Sequence, residues 1–460
     1  MVLNRYEYTK IANAKLPSAW QSQSALDELS DFLQQNWEQR SVFYNDEEVK
    51  TQQQFLDFTG QKGIRTKKYV GTIVFKGEQL NIFPKVFSTE YEDHDTDNLS
   101  QKHLLENLVH WIEYCNKLEY PFLNISSELH DSEDLKELFI TLYIGYVRSA
   151  VERGAYYQYV EETEDIRSIK GKFDYKDYVL RKIPNGRTAE FRCTYSTFEF
   201  DNRVNRIIKY TCKQLYNSTT KKNQKALRTV LTRLDEVSDV PCKPSDCDNI
   251  RLSKMHRNYG IIISMSKMFL LNKMSNYSID THEAFCFLFP TDLLFEGFIG
   301  GFLREVMEAH GARVRLQESR ASLVEKIIYK GTITGAAFTM RHDILVEYAS
   351  KVFVLDTKYK ELSRFEDNPD YTDNINSEVK QGDMYQVLEY ARKRGISDVY
   401  LLYPMYRYEE KETAFPVAIS ESPSGNINVH FIRLPFVFED DEQDTRKKLT
   451  DTIRLIFGLA

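Results

Sequence analysis

The chain lacks any long apolar run. Nothing in its 460 residues approaches the ~20 consecutive apolar positions of a membrane helix. The opening stretch MVLNRYEYTKIANAK has no apolar signal core, so a cytoplasmic protein is expected. Cysteine is scarce: six residues, all widely spaced except Cys242 and Cys247. That suits a reducing compartment and argues against a disulfide scaffold. The close pair has no second Cys/His pair at a suitable spacing, so a zinc site is not expected. A phosphate-cradling G-x-x-x-x-G-K-[ST] loop is also missing, so the chain should hydrolyse no nucleotide unaided. Internal repeats and long low-complexity tracts are absent as well.

Acid is missing from one window of an otherwise acidic chain. The net charge of −7 argues against a generally basic nucleic-acid binder. Yet Asn202 to Leu234 holds no Asp or Glu and nine cations: Arg203, Arg206, Lys209, Lys213, Lys221, Lys222, Lys225, Arg228 and Arg233. The first four step at three and four residues, which puts them on one face of a long basic helix. Such a face is either simply solvated or a surface for phosphates. The Pro- and Asp-rich stretch VSDVPCKPSDCDN that follows reads as a loop.

What is present reads as mixed α and β. Residues 24–40, 101–117 and 132–153 carry helical periodicity. KKYVGTIVFKGEQLNIFPKVF reads as a hairpin turning at Lys-Gly-Glu. GKFDYKDYVL and AEFRCTYSTFEF read as strands. From residue 285 onward come a helix (TDLLFEGFIGGFLREVMEAHG), three strands (KIIYKGT, RHDILVEY, KVFVLDTKYK), a helix closed by Gly395, and the strand SDVYLLYP. That order suggests helices packed on a mixed sheet.

The stretch VFVLDTKYK sets the chemical question. Asp356 and Lys358 alternate onto one face of an apolar strand. They are either a salt-bridged pair on an exposed face or a metal-binding carboxylate beside a catalytic ammonium. RHDILVEY, one short turn earlier, adds Asp343 from a neighbouring strand about 4.8 Å away. Two converging carboxylates suit a hard divalent cation, and Lys358 could orient a water or stabilise charge on a phosphate. Glu296 falls on the apolar face of its helix, where a carboxylate is costly unless used. Gly297, Gly300 and Gly301 would let that helix approach a sheet closely. Gln386, on the later helix, is placed to hold a water or a phosphate.

Taken together, this arrangement resembles the core of PD-(D/E)xK nucleases, with His342 where that fold often has Pro. The ordered set GIRTKKYVGTIVF…LNIFPKVF, IKGKFDY, CTYSTFEFDNRVNRIIKY, LLFEGFIGGFL and RHDILVEYASKVFVLDTKYK…GDMYQVLEYA further resembles the McrC family, the nuclease subunits of McrBC and LlaJI-type restriction systems. The resemblance implies an α/β chain in which Asp343, Asp356 and Lys358 form the nuclease triad and Glu296 and Gln386 support it. It implies Mg2+, with Mn2+ as a substitute, bound by Asp343 and Asp356. It implies cleavage of modified double-stranded DNA carrying 5-methylcytosine, and a hexameric McrB-like AAA+ GTPase partner through which alone GTP acts. On this reading residues 1–160 engage the partner and residues 281–460 form the nuclease core. Residues 161–280 would contact DNA through Arg203, Arg206, Lys209, Lys213, Lys221 and Lys222. Two other readings stay open: a catalytically silent activator of the GTPase, and a stand-alone repair or junction nuclease. The acidic loop 361–380 and the extra length over smaller family members carry no assigned role.

Overall fold

The protein is described here by a computed structural model. The structure describes residues 2–38, 51–59, 63–88, 101–115, 135–253, 256, 258–274, 284–324, 327–329, 332–334, 337–360, 379–406, 416–421, 427–438 and 442–459. Most of the acidic loop 361–380 lies outside them. The chain divides into two compact units, residues 1–135 with 279–460, and residues 136–278. One division falls at 278/279, beside the expected one at 280/281, and the other falls at 135/136 rather than 160/161. The N-terminal segment does not stand apart from the C-terminal one, because strands from both complete a single sheet.

That sheet has four strands in the order β1 (Val2–Tyr6), β3 (Glu78–Phe83), β2 (Tyr69–Phe75), β4 (Phe285–Pro290). The expected hairpin is present: Phe75 pairs with Glu78, and Lys76 and Gly77 turn with φ of 51° and 74°. Strand β4, FCFLFP, is buried at every position and pairs antiparallel with β2. A run with no polar alternation marks a strand covered on both faces. Helices α1 (Gln23–Glu38) and α2 (Gln101–Tyr114) belong to the same unit.

Helix α3 (Thr291–Ala309) follows β4 directly. Gly300 meets the sheet as expected, and Gly297 meets a different neighbour. A Cβ on Gly300 would lie 3.0 Å from Leu316 of the next strand, while one on Gly297 would lie 2.2 Å from Cys115 Sγ, just after α2. The helix is thus pressed against a helix as well as a strand. A six-stranded mixed sheet then forms in the order β5 (Arg313–Val324), β6 (Ala337–Tyr348), β7 (Lys351–Thr357), β8 (Asp398–Met405), β10 (Asn428–Pro435), β9 (Pro416–Glu421). Strands β5, β6 and β7 are antiparallel neighbours. Strands β7, β8 and β10 run parallel. Helix α4 (Gln381–Arg394) is the crossover between β7 and β8, and Gly395 ends it at φ 65°. Val387, Tyr390 and Ala391 of α4 pack on Leu345, Val354, Val399 and Leu401 of the sheet. Helix α5 (Glu442–Phe457) closes the unit.

The second unit holds helices Leu135–Arg153, Arg203–Tyr216, Lys221–Arg233 and Asn258–Met274 and a three-stranded sheet. Two local readings change here. GKFDYKDYVL is a strand only at Lys172–Phe173 and then coils into helical turns. Asp174 caps them by accepting from the Asp177 N–H, 3.0 Å. The single long basic helix is two helices, broken across residues 217–220.

Candidate active site

Strands β6 and β7 turn at Ala349 and Ser350, whose φ values are 48° and 62°. Their register pairs Tyr348 with Lys351 and, at the far end, Ile344 with Leu355. The next residues outward are Asp343 and Asp356, which brings the two carboxylates opposite each other. Asp343 Oδ2 accepts from the Thr357 backbone N–H and from Thr357 Oγ1, both at 2.8 Å. Lys358 Nζ stands 2.5 Å from Asp356 Oδ2. The three residues singled out from the sequence therefore converge.

Their environment is not that of a surface salt bridge. The Asp356 side chain is 1% exposed. Its two oxygens receive no well-aligned hydrogen bond, so the short ion-pair distance, rather than a hydrogen bond, ties it to Lys358. Burial, and then the negative charge of Asp343, push the Asp356 carboxyl up to about 7 against the pull of Lys358. Burial alone would depress the Lys358 ammonium, but Asp356, Asp343 and Asp383 outweigh it and hold its pKa above the usual value. The buried Asp356 carboxyl thus faces a second, partly exposed carboxylate, Asp343, as well as its one lysine. A charge of that kind is costly without a further cation.

Helix α4 supplies the flank. Asp383, in its first turn, lies 3.8 Å from Lys358 Nζ and forms an ion pair with Lys360. Gln386, one turn on, donates from Nε2 to the Tyr390 hydroxyl at 2.7 Å, and Tyr390 donates to the Arg341 carbonyl at 2.7 Å. Burial raises the Tyr390 pKa, and Asp356 and Asp343 add to the shift. His342 is buried. Its Nε2 accepts from Arg394 Nε at 2.8 Å, and its ring meets Tyr390 edge-on with centroids 4.3 Å apart. The residue just before Asp343 thus anchors the helix to the site.

Glu296 reaches the site strand through a polar chain. Gln317 donates from Nε2 to Glu296 Oε1 at 2.7 Å, and Arg341 donates to Gln317 Oε1. Gln317 sits at φ 52°, a conformation a non-glycine residue rarely adopts. Sequence reasoning misses Asp383, Tyr390, Gln317 and Arg341. Asp383, Gln386 and Tyr390 recur at three and four residues, a signal that is readable as one polar helix face. Gln317 has no such signal, because nothing in the pattern around it marks its strand.

The donors suit a hard divalent cation, which takes carboxylate oxygens. Asp356 offers buried oxygens with no aligned donor, and Asp343 Oδ2 is already oriented by Thr357. Among the described residues no three His, Cys, Asp or Glu side chains gather as a complete ligand set. The shell would be completed by backbone, water or substrate oxygens.

The basic residues of the second unit are placed differently. Arg203 donates to the Asp246 and Asp248 carbonyls at 2.9 and 3.2 Å. Arg206 makes a two-point pair with Asp201 at 2.7 and 2.9 Å. Lys209 is buried and donates to the carbonyls of Asp235 and Val237. Lys213 is 2.7 Å from Asp239. The four share a face, but each is already engaged: Arg206 by Asp201, Lys209 and Lys213 by Asp239, and Arg203 by backbone carbonyls of the Asp-rich loop. For Lys209 in particular, burial corrects the expectation of an exposed phosphate contact. Lys221 and Lys222 are exposed on the following helix.

A family model described as the McrBC 5-methylcytosine restriction system component matches residues 64–404. The chain belongs to this McrBC family. The match spans the second unit and runs through β6, β7 and α4 into β8, so it contains every candidate catalytic residue. No curated protein matches. Among solved structures, the half-complex from the tetradecameric assembly of Thermococcus gammatolerans McrB AAA+ hexamers with bound McrC is similar at a TM-score of 0.65 and 16% identity, covering 98% of this chain and 100% of that one. That likeness shows the fold. The cryo-EM structure of the Thermococcus gammatolerans McrBC complex matches at a TM-score of 0.49 and 17% identity, covering 67% of this chain and 88% of that one. No described helix is long and apolar enough to cross a membrane.

Proposed function

We propose that this McrBC component is a Mg2+-dependent DNA endonuclease subunit of the PD-(D/E)xK type. The observation that carries the reading is the convergence of Asp343 and Lys358 on the buried Asp356, two carboxylates for one lysine. Asp343 and Asp356 would hold the cation, which when bound polarises the phosphodiester and the attacking water. Lys358, kept charged by its acidic neighbours, would face the scissile phosphate and stabilise negative charge as it develops. Asp383 and Lys360 limit how far the lysine swings. Gln386 and Tyr390 shape the flank, and the Glu296–Gln317–Arg341 chain stiffens the strand before Asp343.

The same reading gives the chain a McrB-type AAA+ GTPase hexamer as partner, supported by the McrB-bound assembly it resembles. It makes modified double-stranded DNA the substrate. Lys221 and Lys222, exposed at the start of their helix, would contact the DNA backbone. The test is cleavage of 5-methylcytosine-containing duplex DNA by the purified chain with a McrB-type partner, GTP and Mg2+. Cleavage is expected to stop on adding EDTA and to fall about a thousandfold or more in Asp356→Ala. An Asp356→Ala protein that cuts at the wild-type rate would sink the assignment.

A further inference from the structure

A second buried carboxylate lies beside the segment that carries the catalytic lysine. Glu7 follows the last residue of β1 and is 0% exposed. A buried carboxyl demands partners, and this one has three from three distant parts of the chain. Its Oε1 accepts from the Lys85 backbone N–H at 3.0 Å and from the Tyr359 hydroxyl at 2.7 Å. Its Oε2 lies 3.0 Å from Thr291 Oγ1 at the start of α3. Tyr359 is the residue immediately after Lys358.

The backbone at this point has left the β6–β7 ladder. The Lys358 N–H donates to the Leu402 carbonyl at 2.8 Å, and the Lys360 N–H turns back to the Lys358 carbonyl at 2.9 Å. Lys358 and Lys360 both reach towards Asp383. Tyr359 points the other way, its ring between Phe295 and Phe436 at centroid distances of 5.9 and 6.2 Å. A short segment whose alternate side chains are held on opposite sides has little freedom to rotate. The Tyr359 hydroxyl bond ties its far side to the residue that ends the N-terminal strand.

We propose that Glu7 is a positioning residue of the nuclease site: through the Tyr359 hydroxyl it fixes the segment that presents Lys358, which makes the end of β1 part of the apparatus that cuts. The inference rests on the nuclease reading for its catalytic meaning, and on the Glu7–Tyr359 contact alone for its structural meaning. The proton inventory supports a carboxyl suited to this task in either charge state. Thr291 has one hydroxyl proton and two acceptors within reach, Glu7 Oε2 and the Lys68 carbonyl at 3.1 Å. A neutral Glu7 can donate to Thr291 and release that proton to Lys68, while Oε1 still accepts from Tyr359. Burial raises the Glu7 pKa to about 7, against the hydrogen bonds from Lys85, Tyr359 and Thr291, so both forms are reached near neutrality. A glutamine can reproduce the neutral pattern, with its Oε1 facing Tyr359 and its amide donating to Thr291.

The test compares Tyr359→Phe, Glu7→Ala and Glu7→Gln in the full chain with the McrB-type partner, GTP and Mg2+ on 5-methylcytosine-containing duplex DNA. Amide hydrogen exchange of the Lys358 and Lys360 N–H groups is followed in parallel on the chain without metal. Tyr359→Phe, which removes one hydroxyl and keeps the ring, should lower kcat about tenfold with KM unchanged and speed exchange at those two amides. Glu7→Ala should do the same, and the double variant should be no worse than either single, since both cut one link. Glu7→Gln should restore both readouts towards wild type. The proposal is overturned if Tyr359→Phe leaves rate and exchange unchanged, or if exchange rises across β1 and α3 while the two amides beside Lys358 stay protected. If Asp356→Ala cuts as well as wild type, the nuclease reading fails by itself, and the exchange data still decide whether Glu7 holds the segment.

Discussion

The two units each place aspartate beside a cation, and the results are opposite. In the second unit Asp201 accepts two bonds from Arg206 and two from Ser238. Those partners, Arg206 foremost, hold its carboxyl well below the usual range. In the first unit Asp356 has one lysine, a second carboxylate opposite it and almost no water, and its carboxyl is pushed up to about 7. The residue types are the same. What separates a brace from a candidate catalytic centre is whether donors match acceptors. A matched pair stabilises the fold, whereas an excess of buried acceptor is destabilising until a cation or substrate joins it. This comparison also explains why Arg206 and Lys209 are structural. Their charges are already matched inside their own unit.

Neutralising Asp356 is the strongest way to sharpen that contrast. Asp356→Asn should abolish cutting, like Asp356→Ala, yet raise the melting temperature of the metal-free chain in EDTA, because it removes an under-compensated buried charge. A clear drop in melting temperature would mean that Asp356 is a structural pair with Lys358 and nothing more. Lys358→Ala comes next. It should lower kcat roughly a hundred- to a thousandfold, the loss expected when one aimed charge is removed, while Mg2+ binding measured by calorimetry persists. Loss of Mg2+ binding with it would move Lys358 from charge stabilisation to holding the two aspartates apart.

Asp201→Asn tests the other half of the comparison. It should cost about 1–3 kcal/mol of stability in denaturant titrations, since asparagine keeps one neutral acceptor oxygen but puts an amide donor against Arg206 and Ser238 where the second carboxylate oxygen stood, and leave cleavage unchanged. The sign with pH follows from the lowered pKa. The contribution of Asp201 is fully present above its unfolded-state pKa of about 4 and disappears as the pH falls through the lower folded value. Wild type and variant should therefore converge in acid. A stability gap that stayed constant from neutral pH into strong acid would show that the Asp201–Arg206 pair is not what stabilises the unit.

Much of the site is legible in the sequence, and the reason is local. Asp343, Asp356 and Lys358 lie on adjacent strands joined by a tight turn, so alternation and strand spacing suffice to bring them together. Helix α4 and its Gly395 stop are equally plain. What escapes depends on distant pairing. The all-apolar FCFLFP carries no period that distinguishes strand from helix. Pattern alone therefore cannot close the N-terminal sheet onto residues 285–290. Gln317 and Glu7 are single polar residues whose partners lie 21 and 352 positions away, and no spacing rule reaches that far. GKFDYKDYVL alternates like a strand, but Asp174 caps a helical turn within it, a case of local hydrogen bonding overriding pattern.

The smallest expected effect concerns which cations meet DNA. Lys209 is buried and bonded to two carbonyls, whereas Lys221 and Lys222 stand exposed at the start of their helix. A lysine already desolvated releases no counterion when DNA binds, and a solvent-exposed one does. The double variant Lys221→Ala/Lys222→Ala should therefore weaken DNA binding a few-fold and reduce the slope of log affinity against log salt by about 1.8, close to 0.9 for each phosphate no longer neutralised. Lys209→Met should leave that slope alone and show up as lower stability. Fluorescence anisotropy with a labelled duplex across a salt series reads both. An unchanged slope in the double variant would remove Lys221 and Lys222 from the interface. A reduced slope in Lys209→Met, in a protein still folded, would show that the buried face opens to meet DNA, and the division between buried and exposed lysines would then not hold for the second unit.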